Sequence, residues 1–178
     1  MHLPPFANLL LFILLAGCTT STVEPIRASA PPAAFSAVAV QEVSATDELW
    51  KAYAIRVRRA LIAELQKTGT FPQILPQGET PVPPNTLIVT SQLTGVDKGD
   101  VAARFIIGFG AGRARAAADF VLLNSTGTEL AHFTQRKAYS GGIGIGGLDM
   151  MDMEDLMDQL GQAAADSITN WTRSGQFE

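Results

Sequence analysis

Residues 116–136 read Ala-Ala-Ala-Asp-Phe-Val-Leu-Leu-Asn-Ser-Thr-Gly-Thr-Glu-Leu-Ala-His-Phe-Thr-Gln-Arg, and the fold turns on how they pair. The spacing predicts two strands, 116–123 and 129–136, around a turn at Asn124–Thr128. Gly127 is available there for the positive φ that a tight hairpin demands. A hairpin commits this part of the chain to an antiparallel sheet.

Working outward, Thr86–Thr94 is rich in β-branched residues and reads as a strand. Pro76–Asn85 carries prolines at 76, 81, 83 and 84 and reads as a loop. Phe71–Leu75 reads as a short edge strand. Before it, Trp50, Tyr53, Val57, Leu61 and Leu65 recur at helical spacing, predicting a helix over 46–68. Ser44-Ala-Thr-Asp47 resembles a capping box at its start, and Gly69 is placed to close it. Residues 35–43 alternate as a strand does. At the other end Met153, Leu156, Met157, Leu160, Ala164, Ile168 and Trp171 form one apolar stripe, predicting a final helix from about Asp149 to Arg173. The order β-α-β-β-β-β-α implies an α+β domain: a mostly antiparallel sheet of four to five strands with two helices packed on one face.

The 178 residues suit one domain, placed at 35–178. Apolar residues are 47% and charged residues 17%, enough of a core to exclude disorder of the whole chain. Thirteen basic against seventeen acidic residues give a net charge of −4, which argues against a nucleic-acid partner. No apolar run approaches the roughly 20 residues of a membrane-spanning helix.

Residues 1–17 read as a signal peptide. Phe6–Ala16 is apolar except for Asn8, and Leu15-Ala16-Gly17-Cys18 resembles the bacterial lipobox, at which lipoprotein precursors are cleaved and the cysteine is acylated. Cys18 is the only cysteine, so it has no disulfide partner within the chain. It is read as the lipidation site rather than as an inert thiol. The one departure is an n-region without Lys or Arg. Residues 18–34, rich in Thr, Ser, Ala and Pro, read as a flexible tether. The lipobox resemblance implies a lipid-anchored, periplasm-facing protein. Thr19, where Asp would signal retention, implies the outer membrane. The acyl chains are the only attached group expected.

Candidate chemistry is sparse. Gly108-Phe-Gly-Ala-Gly-Arg-Ala-Arg115 lacks both the third-glycine spacing of a dinucleotide fold and the Gly-Lys-Ser/Thr of a phosphate loop. If it is extended, Gly108, Gly110, Gly112 and Ala114, Ala116, Ala118 make one smooth face, with Phe109, Arg113, Arg115 and Asp119 opposite. A smooth face suits a bulged strand beneath a helix, or the close approach of a partner. Arg113 and Arg115 would then line a cleft for a small apolar or anionic ligand. Ile143 and Ile145, in the glycine segment 141–147, serve either a plain connector or an interface loop. Asp149, Asp152, Glu154, Asp155 and Asp158 are what a helix N-terminus favours, and without EF-hand spacing no metal site is expected. Met153 and Met157 belong to the core, whereas Met150 and Met151 suit a partner surface. Arg56, Arg58 and Arg59 read as a solvated helix face. His132 lies alone in a strand, no catalytic set is found, and no enzyme is expected.

Gly108, Gly110, Gly112, Arg113 and Ala114, followed by Thr126-Gly-Thr-Glu-Leu130, resemble the bacterial lipoproteins of the DUF4410 family over roughly residues 36–173. The resemblance implies a fold and an envelope location, and supplies no catalytic residue. The element order is also similar to periplasmic domains of the Tol and curli systems, which are assembly modules. The expectation is a non-catalytic binding or assembly module in an envelope complex, with a protein partner or self-association. The alternative is a carrier of a small ligand near the glycine-rich strand.

Overall fold

The computed structural model describes residues 18–29, 34–78, 80–99, 114–140 and 153–177. Strand β1 is Cys18–Ala28 and β2 is Ala37–Ala45. A 3₁₀ turn, Glu48–Trp50, leads into helix α1, Lys51–Thr68. Then come β3 (Gln73–Leu75), β4 (Thr86–Asp97), β5 (Arg115–Leu123), β6 (Glu129–Ser140) and helix α2 (Met153–Ser174). The strands form one sheet in the order β1-β6-β5-β4-β2-β3. β2 runs parallel to both β3 and β4, and the remaining neighbours are antiparallel. The fold is α+β, with a six-stranded mixed sheet where four to five strands were expected.

The hairpin forms as the turn chemistry requires. Asn124 Oδ1 accepts from the backbone N–H of Thr126 at 3.0 Å and of Thr128 at 2.8 Å, and Gly127 sits at φ 86°. Phe120 and Phe133 then lie directly opposite each other with ring centroids 5.1 Å apart. Both helices cover this face. Val57, Leu61 and Leu65 of α1 and Leu156, Met157, Leu160, Ile168 and Trp171 of α2 are fully buried against Val38, Leu87, Val89, Leu93, Phe120 and Phe133. Each such side chain contributes roughly 1.5–3 kcal/mol by leaving water.

The extra strand is β1, formed by residues expected to be a tether. It pairs with β6 along its length, from Cys18 opposite Ser140 to Ala28 opposite Ala131. The composition misleads because an edge strand needs little apolar area, and among its described side chains Val23 alone packs against the core. Its threonines, Val23 and Ile26 are β-branched and favour extended backbone. Polar side chains do the rest. Buried Gln135 donates to Ser21 Oγ at 2.9 Å and to the Thr22 carbonyl at 3.1 Å. Its own carbonyl accepts from Ser167 of α2 at 3.0 Å. Trp171 Nε1 donates to the Ser29 carbonyl at 3.2 Å.

The expected capping box does not form. Ser44 stays in β2, because the ladder with β4 runs on to Ala45 opposite Leu93, and its hydroxyl donates to the Ser91 carbonyl at 3.3 Å. Asp47 instead caps the 3₁₀ turn, accepting from Leu49 N–H at 2.9 Å. Gly69 does close α1, at φ 60°.

Candidate functional site

Cys18 and Arg115 lie at the same end of the sheet. β1 starts there with Cys18 opposite Ser140, the last residue of β6. Two residues further in, Thr20 lies opposite Ala138, which lies opposite Arg115 of β5, which lies opposite Asp97 of β4. The next row holds Thr22, Arg136, Ala117 and Gly95. Small residues at 95, 117 and 138 leave a cleft of about 440 Å³ over these rows, bordered by Trp50. Arg115 is exposed at this cleft rather than enclosed by it, and makes no ion pair among the described residues. Arg136 is taken up by Glu24 across the edge, at 3.0 Å.

Of the remaining candidates, Gly108, Gly110, Gly112, Arg113, Ile143 and Ile145 lie outside the described residues, as do Met150 and Met151. From Ala114 onward the described residues alternate between the two faces. Ala114, Ala116 and Ala118 all face inward, 5%, 2% and 0% exposed, beneath the helices. The smooth face there is the seat of the helix layer, and Arg115 and Asp119 point to the opposite side.

Two arginines expected to be merely solvated have structural tasks. Arg56 donates to Glu154 and to Asp158, the latter at 2.8 Å, tying α1 to the first turns of α2. That explains two of the clustered acids; Asp149 and Asp152 lie outside the described residues. Among the described residues no three of His, Cys, Asp and Glu are grouped as a metal site would require. Arg58 donates to the carbonyls of Val40 at 2.8 Å and Gln41 at 3.0 Å, where β2 bulges away from β4. A bulge frees ladder carbonyls, and the guanidinium fork satisfies two of them. Met153 and Met157 are core residues, as their place on the stripe predicted.

Lys137 of β6 and Asp166 of α2 are near enough to influence each other electrostatically without forming an ion pair. Burial lowers the Lys137 ammonium below its ordinary pKa, with Asp166 pulling it back. Asp166 is exposed, but partial desolvation by its surroundings raises its carboxyl, and Glu64 raises it further against the pull of Lys67 and Lys137.

With this geometry in view, the family model described as "Domain of unknown function (DUF4410)" matches residues 23–142, from the middle of β1 past the end of β6. The chain belongs to the DUF4410 family. No curated protein matches it by sequence. Its DUF4410 fold is shared with solved structures at low identity. A PelC dodecamer from Paraburkholderia phytofirmans is 12% identical at a TM-score of 0.51, covering 80% of this chain and 96% of that one. A single-substitution PelC variant from the same organism is 15% identical at 0.50, covering 80% and 95%. Protein XCC0632 from Xanthomonas campestris, of family DUF330, is 12% identical at 0.51, covering 85% and 94%. At such identities the likeness is one of fold.

Proposed function

We propose that this DUF4410 chain is a lipid-anchored outer-membrane lipoprotein, facing the periplasm, that serves as a non-catalytic binding or assembly module of an envelope complex. The observation that carries the reading is the coincidence at Cys18: the lipobox cysteine is also the first residue of edge strand β1. Acylation would then fix the sheet itself to the leaflet. Two or three acyl chains hold a protein on a membrane without any spanning helix, each buried methylene contributing roughly 0.8 kcal/mol. No helix among the described residues is long and apolar enough to span one. The PelC structures of the same fold are dodecamers, which makes self-association the first form of assembly to test. The ligand-carrier reading takes second place, because Arg115 borders an open cleft and is itself exposed.

Fractionation and cross-linking of native envelopes test the proposal. The wild-type chain is expected in the outer-membrane fraction and in one discrete cross-linked species, and Cys18→Ala in the soluble periplasmic fraction. A Cys18→Ala chain that stays on the membrane, or a wild-type chain that cross-links to nothing, contradicts it.

A further inference from the structure

Building on the reading of Cys18 as the lipid anchor, we propose that the Cys18 end of the sheet is itself a membrane-contact surface, on which Leu49 enters the phospholipid interface beside the acyl chains. The anchor has no slack. Cys18 already stands in the ladder opposite Ser140, so Thr20 follows within about 7 Å of it along the strand. A body held this way cannot stand off from the lipid as one on a flexible linker does.

Apolar exposure is concentrated toward the same end. Among the described residues three large apolar side chains are exposed: Leu49 at 83%, Ile55 at 66% and Ile26 at 59%. Leu49 tops the 3₁₀ turn, and its neighbour Trp50 borders the same cleft as Thr20. Ile55 follows on the first turns of α1. Ile26 sits toward the opposite end of β1, past Pro25 where the pairing shifts. An isolated exposed leucine is ordinary, but one at the same end of the sheet as a covalent lipid has a natural occupant. Half-buried Trp50 adds an amphipathic ring of the kind that settles at headgroup depth. Exposed Arg115 adds positive charge suited to lipid phosphates, whereas Lys51 is already paired with Glu48. One leucine is too little to bind a membrane. With the acyl chains already holding the domain, the contact is intramolecular and sets orientation rather than affinity. Strands rising from that surface leave the edges β1 and β3 facing sideways along the leaflet, where a neighbouring protein can reach them.

The test uses the acylated full chain, processed in cells and reconstituted in phosphatidylethanolamine–phosphatidylglycerol vesicles. With Cys18 blocked by lipid, Leu49→Cys or Ile26→Cys supplies a single thiol for an environment-sensitive fluorophore. The probe at 49 is expected to shift to shorter wavelength and to be quenched by doxyl-labelled lipid. The probe at 26 is expected to stay open to aqueous iodide. If position 49 is as open to iodide as position 26, the proposal is overturned. The mass of the same sample reports acylation separately. Should Cys18 prove unmodified, the anchor reading fails by itself. A Cys18→Ser chain held by an N-terminal hexahistidine on nickel-chelating lipid then gives the same comparison, and a probe at 49 exposed to iodide there overturns the surface as well.

Discussion

Gly161 of α2 lies against Val57 of α1 so closely that a Cβ on Gly161 would stand 2.5 Å from the Val57 carbonyl oxygen and 2.9 Å from Ala60 Cβ. Both obstacles belong to the buried seam of the two helices and neither is a flexible side-chain tip. On an open helix surface, Gly→Ala gains about 1 kcal/mol of helix propensity. Here overpacking reverses the sign: Gly161→Ala is expected to lose about 1–3 kcal/mol in urea unfolding. A gain would show that the helices separate freely.

Arg58 holds the β2 bulge through the carbonyls of Val40 and Gln41. Arg58→Ala leaves both acceptors to find water beneath α1. The expected cost is about 1–3 kcal/mol, read from chemical denaturation. Arg58→Lys should recover only part of it, since an ammonium lacks the planar fork. A full recovery by lysine would mean that charge, not the fork, matters.

Gln135 connects β1, β6 and α2 through Ser21, Thr22 and Ser167. Gln135→Leu is expected to loosen β1 before the rest of the domain. In hydrogen exchange, amides of residues 20–24 should lose protection by more than those of the β4–β5 ladder. Uniform loss across the sheet would show that β1 is held by its backbone ladder alone.

Asp166 is exposed on α2, and partial desolvation at the helix surface together with Glu64 raises its folded-state pKa modestly above its unfolded value. At neutral pH the charged carboxylate therefore disfavours the fold. As pH falls through the raised pKa the folded state takes up its proton first and the penalty fades. Asp166→Asn is expected to be slightly more stable than wild type at pH 7, because solvent screens an exposed carboxylate, with the difference closing in acid. A thermal-melt series across pH checks this; a gap that widens in acid would contradict it.

The hairpin, β4, α1 and the stripe of α2 were legible because their signals are local: turn residues, β-branched runs and 3.6-residue periodicity. β1 was not. Its partner lies more than a hundred residues away in β6, and what fixes it is a buried glutamine and a tryptophan N–H, neither visible as a pattern. Ser44 read as a cap because the parallel ladder that retains it in β2 is a tertiary fact. The alanines at 114, 116 and 118 announced a smooth face, but not which layer would sit on it. Arg56 and Arg58 looked solvated because their partners, Asp158 and the bulge carbonyls, come from other elements. Gly161 gave no signal at all, since its meaning depends on the helix across the seam.

A covalent lipid at the first residue of β1 underlies both the proposed anchoring and the proposed orientation. Mass spectrometry of the N-terminal peptide from membrane-extracted protein tests it most directly. The peptide is predicted to begin at Cys18, shorn of residues 1–17 and carrying a thioether-linked diacylglyceryl group. A chain from the same membranes that retains residues 1–17, or begins elsewhere with a free Cys18 thiol, would contradict it.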